Sequence, residues 1–270
     1  MPKMEQKFFE DYSHIQLTET EVQAALYRAR MMKARKLEEQ EAEQQRLQAI
    51  EQMKKPWTKD QLLFELRERA KRLPFRFSVD DNNRKVFDLL LLYFTGDPAF
   101  EQQTYIGHDG QEHNYTFRKG LMLSSPVRGT GKTVLMELFS RTPGRSYVVV
   151  PTKRITSFFE ADGDAVITRF SQPWRCEPTP EFFYQSPIGI CFDDLGDEEI
   201  KNHFGNRENV MARVISRIYD EATDKAVFKY FHCTTNLTGN ELQQKYDSRV
   251  RSRMREMFNF IELPGHDRRI

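Results

Sequence analysis

The sequence lacks a signal-like leader, a membrane-length apolar run, a surplus of either charge and more than three cysteines. Its first residues, MPKMEQKFFEDYS, have no apolar stretch of the kind a secretory leader needs. The longest apolar run, near Leu89 to Phe94, is far too short to cross a bilayer. A cytoplasmic protein with no membrane partner is expected. Cys176, Cys191 and Cys233 are odd in number and far apart, which excludes a disulfide framework and a zinc site. With 41 basic and 40 acidic side chains, the net charge is +1. No global field draws the chain to nucleic acid, so any such contact needs a local patch.

What remains is a 270-residue chain with 39% hydrophobic and 30% charged residues, room for one average domain and a smaller extension. The block from 18 to about 55 has no Gly or Pro and opens on Thr18 and Glu21, spaced as a helix capping box. Val22, Leu26 and Ala29 share a face, whereas Glu38 to Arg46 is almost wholly polar. This is either an arm that docks on a partner or a solvated tail. Pro56 ends it. A second helix is expected from Thr58 to Arg72 and a third, core-facing one from about Asp81 to Phe94. Residues 104–117 place aromatic and β-branched residues around His108-Asp109-Gly110, the pattern of a hairpin.

From Gly120 onward, short apolar runs (LMLSS, YVVVP, IGICF, VFKYFHCTTN) alternate with helical stretches, one after Lys132 and one from about Arg207 to Glu221. That alternation predicts an α/β domain with a mostly parallel sheet. The expected organisation is a helical arm over 1–73 and a domain over 74–270, with a hairpin insertion near 104–117.

The chemistry concentrates at the strand ends. Pro126, Val127, Arg128, Gly129, Thr130, Gly131, Lys132 and Thr133 lie between a strand and a helix that continues with Val134. Backbone N–H groups of such a loop wrap a phosphate; Lys132 neutralises β/γ oxygens and the Thr133 hydroxyl holds Mg²⁺. Gly129 and Gly131 supply the torsional freedom a tight anion-binding turn needs. Pro126 stands where the usual G-x-x-x-x-G-K-[ST] pattern has its first Gly, and it gives up one amide. The bland alternative is a Gly-Thr-Gly turn at an ordinary helix start.

Sixty-one residues after Lys132, the run Ile188-Gly-Ile-Cys-Phe-Asp-Asp-Leu-Gly196 delivers two carboxylates from an apolar strand. Ligands of α/β sheets bind at such strand ends. Asp193 suits Mg²⁺ and Asp194 suits the water that attacks a γ-phosphate, although Glu is commoner in the second role. Asn236, closing the run Thr234-Thr-Asn, can hold that water against Asp194. Both features also occur as plain helix caps and turn starts. The segment Arg249-Val-Arg-Ser-Arg-Met-Arg255, on a helix expected to begin near Asp247, sets like charges four apart. Because these repel, a neighbour's nucleotide, DNA or surface acids should face them.

Taken in order, GTGKT, FDDLG, TTNL, RVRSRM and the closing Gly265-His-Asp-Arg-Arg269 resemble the DnaC/IstB-like group of AAA+ ATPases over roughly residues 75 to 270. That group includes helicase loaders of bacteria and phages and the ATPase helpers of some transposases. The resemblance implies a P-loop NTPase three-layer core with ATP and Mg²⁺ as cofactors. It makes Lys132 and Thr133 the Walker A pair, Asp193 and Asp194 the Walker B pair, and Asn236 sensor 1. Arg249 becomes the preferred arginine finger with Arg253 next, and Arg268 a sensor 2. It also implies an ATP-dependent oligomer, single-stranded DNA as a partner, and a replicative helicase or else a transposase as another, in a phage or mobile-element setting. A nucleotide-gated adaptor with little turnover is the third possibility, kept open by Pro126 and by Asp at 194.

Overall fold

A computed structural model describes residues 15–107, 110–174, 187–199, 201–203 and 206–269. The leader residues 1–13, His108 and Asp109 of the expected turn, Cys176 and Ile270 lie outside the described residues. Contacts divide the chain between Gln52 and Met53.

Most of the first unit's described residues belong to helix α1 (Glu19–Lys54), which runs just past the division. Its start is the capping box the sequence suggested. The Thr18 amide and hydroxyl donate to the Glu21 carboxylate at 2.8 and 2.7 Å, and Thr18 Oγ1 accepts the Glu21 N–H at 3.3 Å. Val22 and Leu26 are exposed along it.

In the second unit, Thr58 and Gln61 form another capping box at the start of α2 (Lys59–Lys71), whose Leu62 and Leu66 are buried in the core. This helix therefore packs with the sheet, and the compact unit begins well before residue 74. Helix α3 spans Arg84–Thr95. It starts later than the expected Asp81 because Asp80 to Asn83 form a side-chain-bonded turn: Asp80 Oδ1 accepts the N–H groups of Asn82 and Asn83, and Asn83 Oδ1 accepts that of Asp80. Gly96 ends the helix at φ 71°. Strands β1 (Thr104–Ile106) and β2 (Glu112–Asn114) pair antiparallel as the hairpin.

Then follow β3 (Gly120–Ser124), α4 (Lys132–Phe139), β4 (Tyr147–Pro151), α5 (Thr152–Asp162), α6 (Asp164–Phe170) and β5 (Gly189–Asp193). A short antiparallel pair, β6 (Lys201–His203) and β7 (Asn206–Glu208), precedes α7 (Val210–Glu221). Arg207 thus belongs to a strand, and Asn209 caps α7 by accepting the Ala212 N–H at 3.0 Å. Strand β8 is Phe231–Thr235 only. Residues 227–230, expected as strand, belong to a 3-10 turn (Lys225–Tyr230) opened by Asp224, whose carboxylate accepts the Ala226 N–H at 2.8 Å. The arginine-rich helix α8 (Gly239–Met257) breaks at Asp247, φ 64° and ψ 172°, so its second half does start where expected. Strand β9 (Phe258–Glu262) closes the domain.

The five-stranded sheet has the order β4-β5-β8-β3-β9, and all four pairings are parallel. Side chains alternate across it. Leu121, Leu123, Cys191 and Ile261 face α2, α3 and α4 on one side; Met122, Ile190, Phe192 and Cys233 face α5 to α8 on the other. Each such Leu, Ile or Phe, wholly buried, contributes roughly 1.5–3 kcal/mol, so the two helical layers are held by comparable cores. Cys191 and Cys233 are free and buried, as expected. The architecture is the predicted α/β class with a parallel sheet, in the manner of a P-loop NTPase of the AAA+ type. Its strand order sets β8 between β3 and β5, and Ser124, Thr235 and Asp193 end at one edge.

Candidate nucleotide site

At that edge the loop after β3 turns into α4. Ser125 N–H donates to Thr235 O at 3.1 Å, which fastens the loop's root to β8. Gly129 and Gly131 have φ of 77° and 97°, torsions a side chain rarely adopts. Lys132, 5% exposed, leaves the first turn of α4 and donates from Nζ to Asn236 Oδ1 at 2.7 Å. Asn236 Nδ2 in turn donates to Asp194 Oδ1 at 3.1 Å. The middle strand therefore bridges the lysine of one neighbour to the carboxylate of the other.

Thr133 Oγ1 donates to Asp193 Oδ1 at 2.8 Å, and Thr234 Oγ1 donates to the same oxygen at 2.7 Å. Thr234 also accepts the Asp194 N–H at 2.9 Å, and Thr152 donates to Asp194 O at 3.0 Å. These bonds hold Asp194 at φ 54°, a left-handed torsion that Asp tolerates better than most residues. Asp193 is buried and Asp194 half-buried. Burial, then the neighbouring Asp193 charge, pushes the Asp194 carboxyl above its usual range, against the pull of Lys132. Burial lowers the Lys132 ammonium, against the two carboxylates that favour its charge.

A cleft of about 1200 Å³ opens over these groups. It is lined by the loop 128–135, by Asp194 and Asn236, by Phe75 to Ser78 and by His266 to Arg269. Arg268 reaches it through two fixed points: its N–H donates to Gly129 O at 3.0 Å, and its guanidinium pairs with both Asp80 oxygens at 2.8 Å. The Asp267 carboxylate lies against Gly129, where a Cβ would meet Oδ1 at 1.8 Å. Pro126 and Val127 are exposed, and Arg128 lies 3.8 Å from Asp197. In this cleft Thr130 Oγ1 and Arg268 Nε are buried without a hydrogen-bond partner among the described residues, as polar groups that a phosphate ligand would satisfy. The Thr133 hydroxyl and Asp193 carboxylate are hard oxygen donors of the kind that hold Mg²⁺ beside phosphate. The residues present fit both a nucleotide phosphate and its metal.

The two predicted fingers are not in the cleft. Arg249 is exposed on α8. Arg253 is 7% exposed, donates to Asp220 at 2.5 Å and lies over the Tyr219 ring, so it is engaged within the chain. Arg251 is likewise buried, over Phe260. A surface acid, the plainest of the expected partners, accounts for Arg253, whereas Arg251 lies against a ring that was not among them. The sequence reading missed Thr234, whose hydroxyl binds the Asp193 carboxylate and the Asp194 N–H, though it is the first residue of the Thr-Thr-Asn run. It also missed Asp80 and Asp267, for which no local signal existed.

No protein-family model matches the chain, and no curated protein matches it in sequence. Among solved structures it is similar to DnaI, at 18% identity and a TM-score of 0.43, over 74% of this chain and 89% of that one. It is similar to the DnaC helicase loader at 15% and 0.41, over 70% and 93%. A provisionally assigned primosome component from Streptococcus pyogenes serotype M3 gives 16% and 0.42, over 70% and 84%.

Proposed function

We propose that the chain binds and hydrolyses ATP and uses that cycle to load or remodel a replicative helicase on single-stranded DNA. The observation that carries the ATPase reading is the bridge Lys132–Asn236–Asp194 beside the Thr133–Asp193 pair. Lys132 and the loop amides bind and orient the β- and γ-phosphates. Asp194, held by Asn236 and by its own amide's bond to Thr234, orients the attacking water and takes up its proton. Thr133 and Asp193 would hold Mg²⁺, which supplies charge neutralisation at the phosphate oxygens when bound. Arg268, anchored on Asp80, stands where it can meet a phosphate, and Phe75 and Phe77 give the same cleft an apolar lining that suits a base.

Arg249, exposed and outside the cleft, reaches a nucleotide only on a second copy of the chain, which is the case for an ATP-dependent oligomer. The helicase and DNA steps rest on the motif resemblance and on an exposed helical arm suited to partner docking. The test is ATPase rate with and without single-stranded DNA, on wild type and Lys132→Ala, with oligomer mass followed in parallel. DNA-stimulated turnover lost in the variant supports the proposal. ATP-dependent assembly with no turnover would replace it with a nucleotide-gated adaptor.

A further inference from the structure

The turn that follows the two carboxylates does not end at the cleft. It runs on through Gly196 to Glu198, a carboxylate only 3% exposed. One Glu198 oxygen accepts the Gly196 N–H at 2.8 Å, and the other accepts the hydroxyl of Tyr246, itself 2% exposed. Lys245 Nζ donates to the Glu198 carbonyl at 2.6 Å, and Asn209 Nδ2 donates to the Lys245 carbonyl at 3.1 Å. A carboxylate is costly to desolvate unless its oxygens keep donors. It is therefore a stringent tie between the two segments it joins. The segment it reaches is the end of the first half of α8.

The next residue, Asp247, has φ 64° and ψ 172°, a conformation almost confined to glycine. There the helix breaks and restarts, with Asp247 Oδ1 accepting the Val250 N–H at 2.9 Å. Arg249 is carried, exposed, on the restarted half. The chain from Asp194 through Leu195, whose N–H donates to Thr234 O at 2.7 Å, and then the bonds of Glu198 thus lead from the strand ends to Tyr246 and a strained hinge.

We infer that Glu198 and Tyr246 are positioning residues that couple occupancy of the nucleotide site to the hinge at Asp247, and so to the orientation of the Arg249 face toward a second copy of this chain. The inference rests on the nucleotide-site reading. A γ-phosphate that takes the Lys132 ammonium from Asn236 changes the hold of Asn236 on Asp194, and the turn through Gly196 to Glu198 moves with it. Tyr246, bonded to the carboxylate, follows, and Asp247 is the point at which the helix can give. The buried bond transmits position; it takes no part in the chemistry.

The test is hydrogen–deuterium exchange on the full chain, with and without a non-hydrolysable ATP analogue and Mg²⁺, while analogue affinity is measured by calorimetry. Wild type should change its exchange across 247–257 on binding. Tyr246→Phe removes one hydroxyl, and should bind the analogue within about threefold of wild type while its exchange change falls by roughly fivefold or more, the lower range of site-to-site coupling. Glu198→Gln, whose amide can donate to the tyrosine oxygen, should restore most of the response, which a merely structural role would not predict. Should Tyr246→Phe fail to fold, Glu198→Leu breaks the same tie from the other side. Wild-type binding with no change at 247–257, or a full response in the broken variants, overturns the coupling. Failure of wild type to bind at all overturns the nucleotide site instead, and calorimetry reads that separately.

Discussion

Replacing Thr234 by Val keeps shape and volume and removes one oxygen. That oxygen is wholly buried and makes two bonds, donating to Asp193 at 2.7 Å and accepting the Asp194 N–H at 2.9 Å. The first is to a carboxylate, worth about 1.5–3 kcal/mol, and the second is a neutral bond worth about 0.5–1.5 kcal/mol. Asp193 retains Thr133 as a donor, so the net loss should be about 3 kcal/mol rather than the full sum. For a unit of this size that lowers Tm by roughly 6–12 °C. Turnover should suffer more than nucleotide affinity, because Asp194 loses the bond that fixes its backbone while the loop amides and Lys132 are untouched. Thermal unfolding, calorimetric ATP binding and steady-state ATPase measurements on Thr234→Val and Thr234→Ser check this. Ser keeps the hydroxyl and should recover most of the turnover. A Val variant with wild-type Tm and kcat would refute the assignment of Thr234 as the tie between the Asp193 carboxylate and the Asp194 backbone.

The raised Asp194 carboxyl and lowered Lys132 ammonium should squeeze the pH profile of kcat/KM from both sides. Its acid limb should lie above 3.8 and its alkaline limb below 10.5, and Asp194→Asn should leave too little turnover to show an acid limb. For stability the sign is fixed: a carboxyl raised in the folded state costs stability above its folded pKa, so Asp194→Asn should unfold at a higher temperature at pH 7. His232 is buried and held neutral, its pKa pushed down to about 3 by burial, while Nδ1 accepts the Leu121 N–H at 3.1 Å. The unfolded chain takes up a proton below about 6.5, so stability should fall between there and about 3, by about 2 kcal/mol at pH 5. Urea titrations should show that slope flattened in His232→Phe, which loses a fixed amount at every pH instead. Gly129→Ala should weaken ATP binding in calorimetry, since φ 77° costs an L residue about 1–2 kcal/mol and the methyl must displace Asp267. Adding Asp267→Ala should recover only the steric part.

What was legible in the chain was whatever neighbouring residues decide together. The strand LMLSS, the glycines after it and the Lys-Thr pair form one local unit, and so do IGICF and its acids. Strand β9 was not legible because FNFIE follows the arginine helix without a turn signal, and only pairing with β3 across more than a hundred residues makes it a strand. The late start of α3 turned on Asp80 and Asn83 bonding each other's backbone in preference to extending the helix. Asp80 joined the cleft wall through an arginine 188 positions away.

The arginines between 249 and 255 carry that argument furthest. Spacing four apart placed like charges together and called for opposite charge, which was correct for Arg253 and silent on which acid. Asp220, on a different helix, supplies it. Arg251 found a ring instead of an acid, because the short strand β9 brings Phe260 beneath it. Both outcomes were set by elements whose position depends on the break at Asp247, a torsion that nothing in an aspartate announces. The same break leaves Arg249 outward. Exposed, and held beside a strained hinge, Arg249 is the residue whose position can still be altered, and Glu198 and Tyr246 lie on the path from the cleft to that hinge.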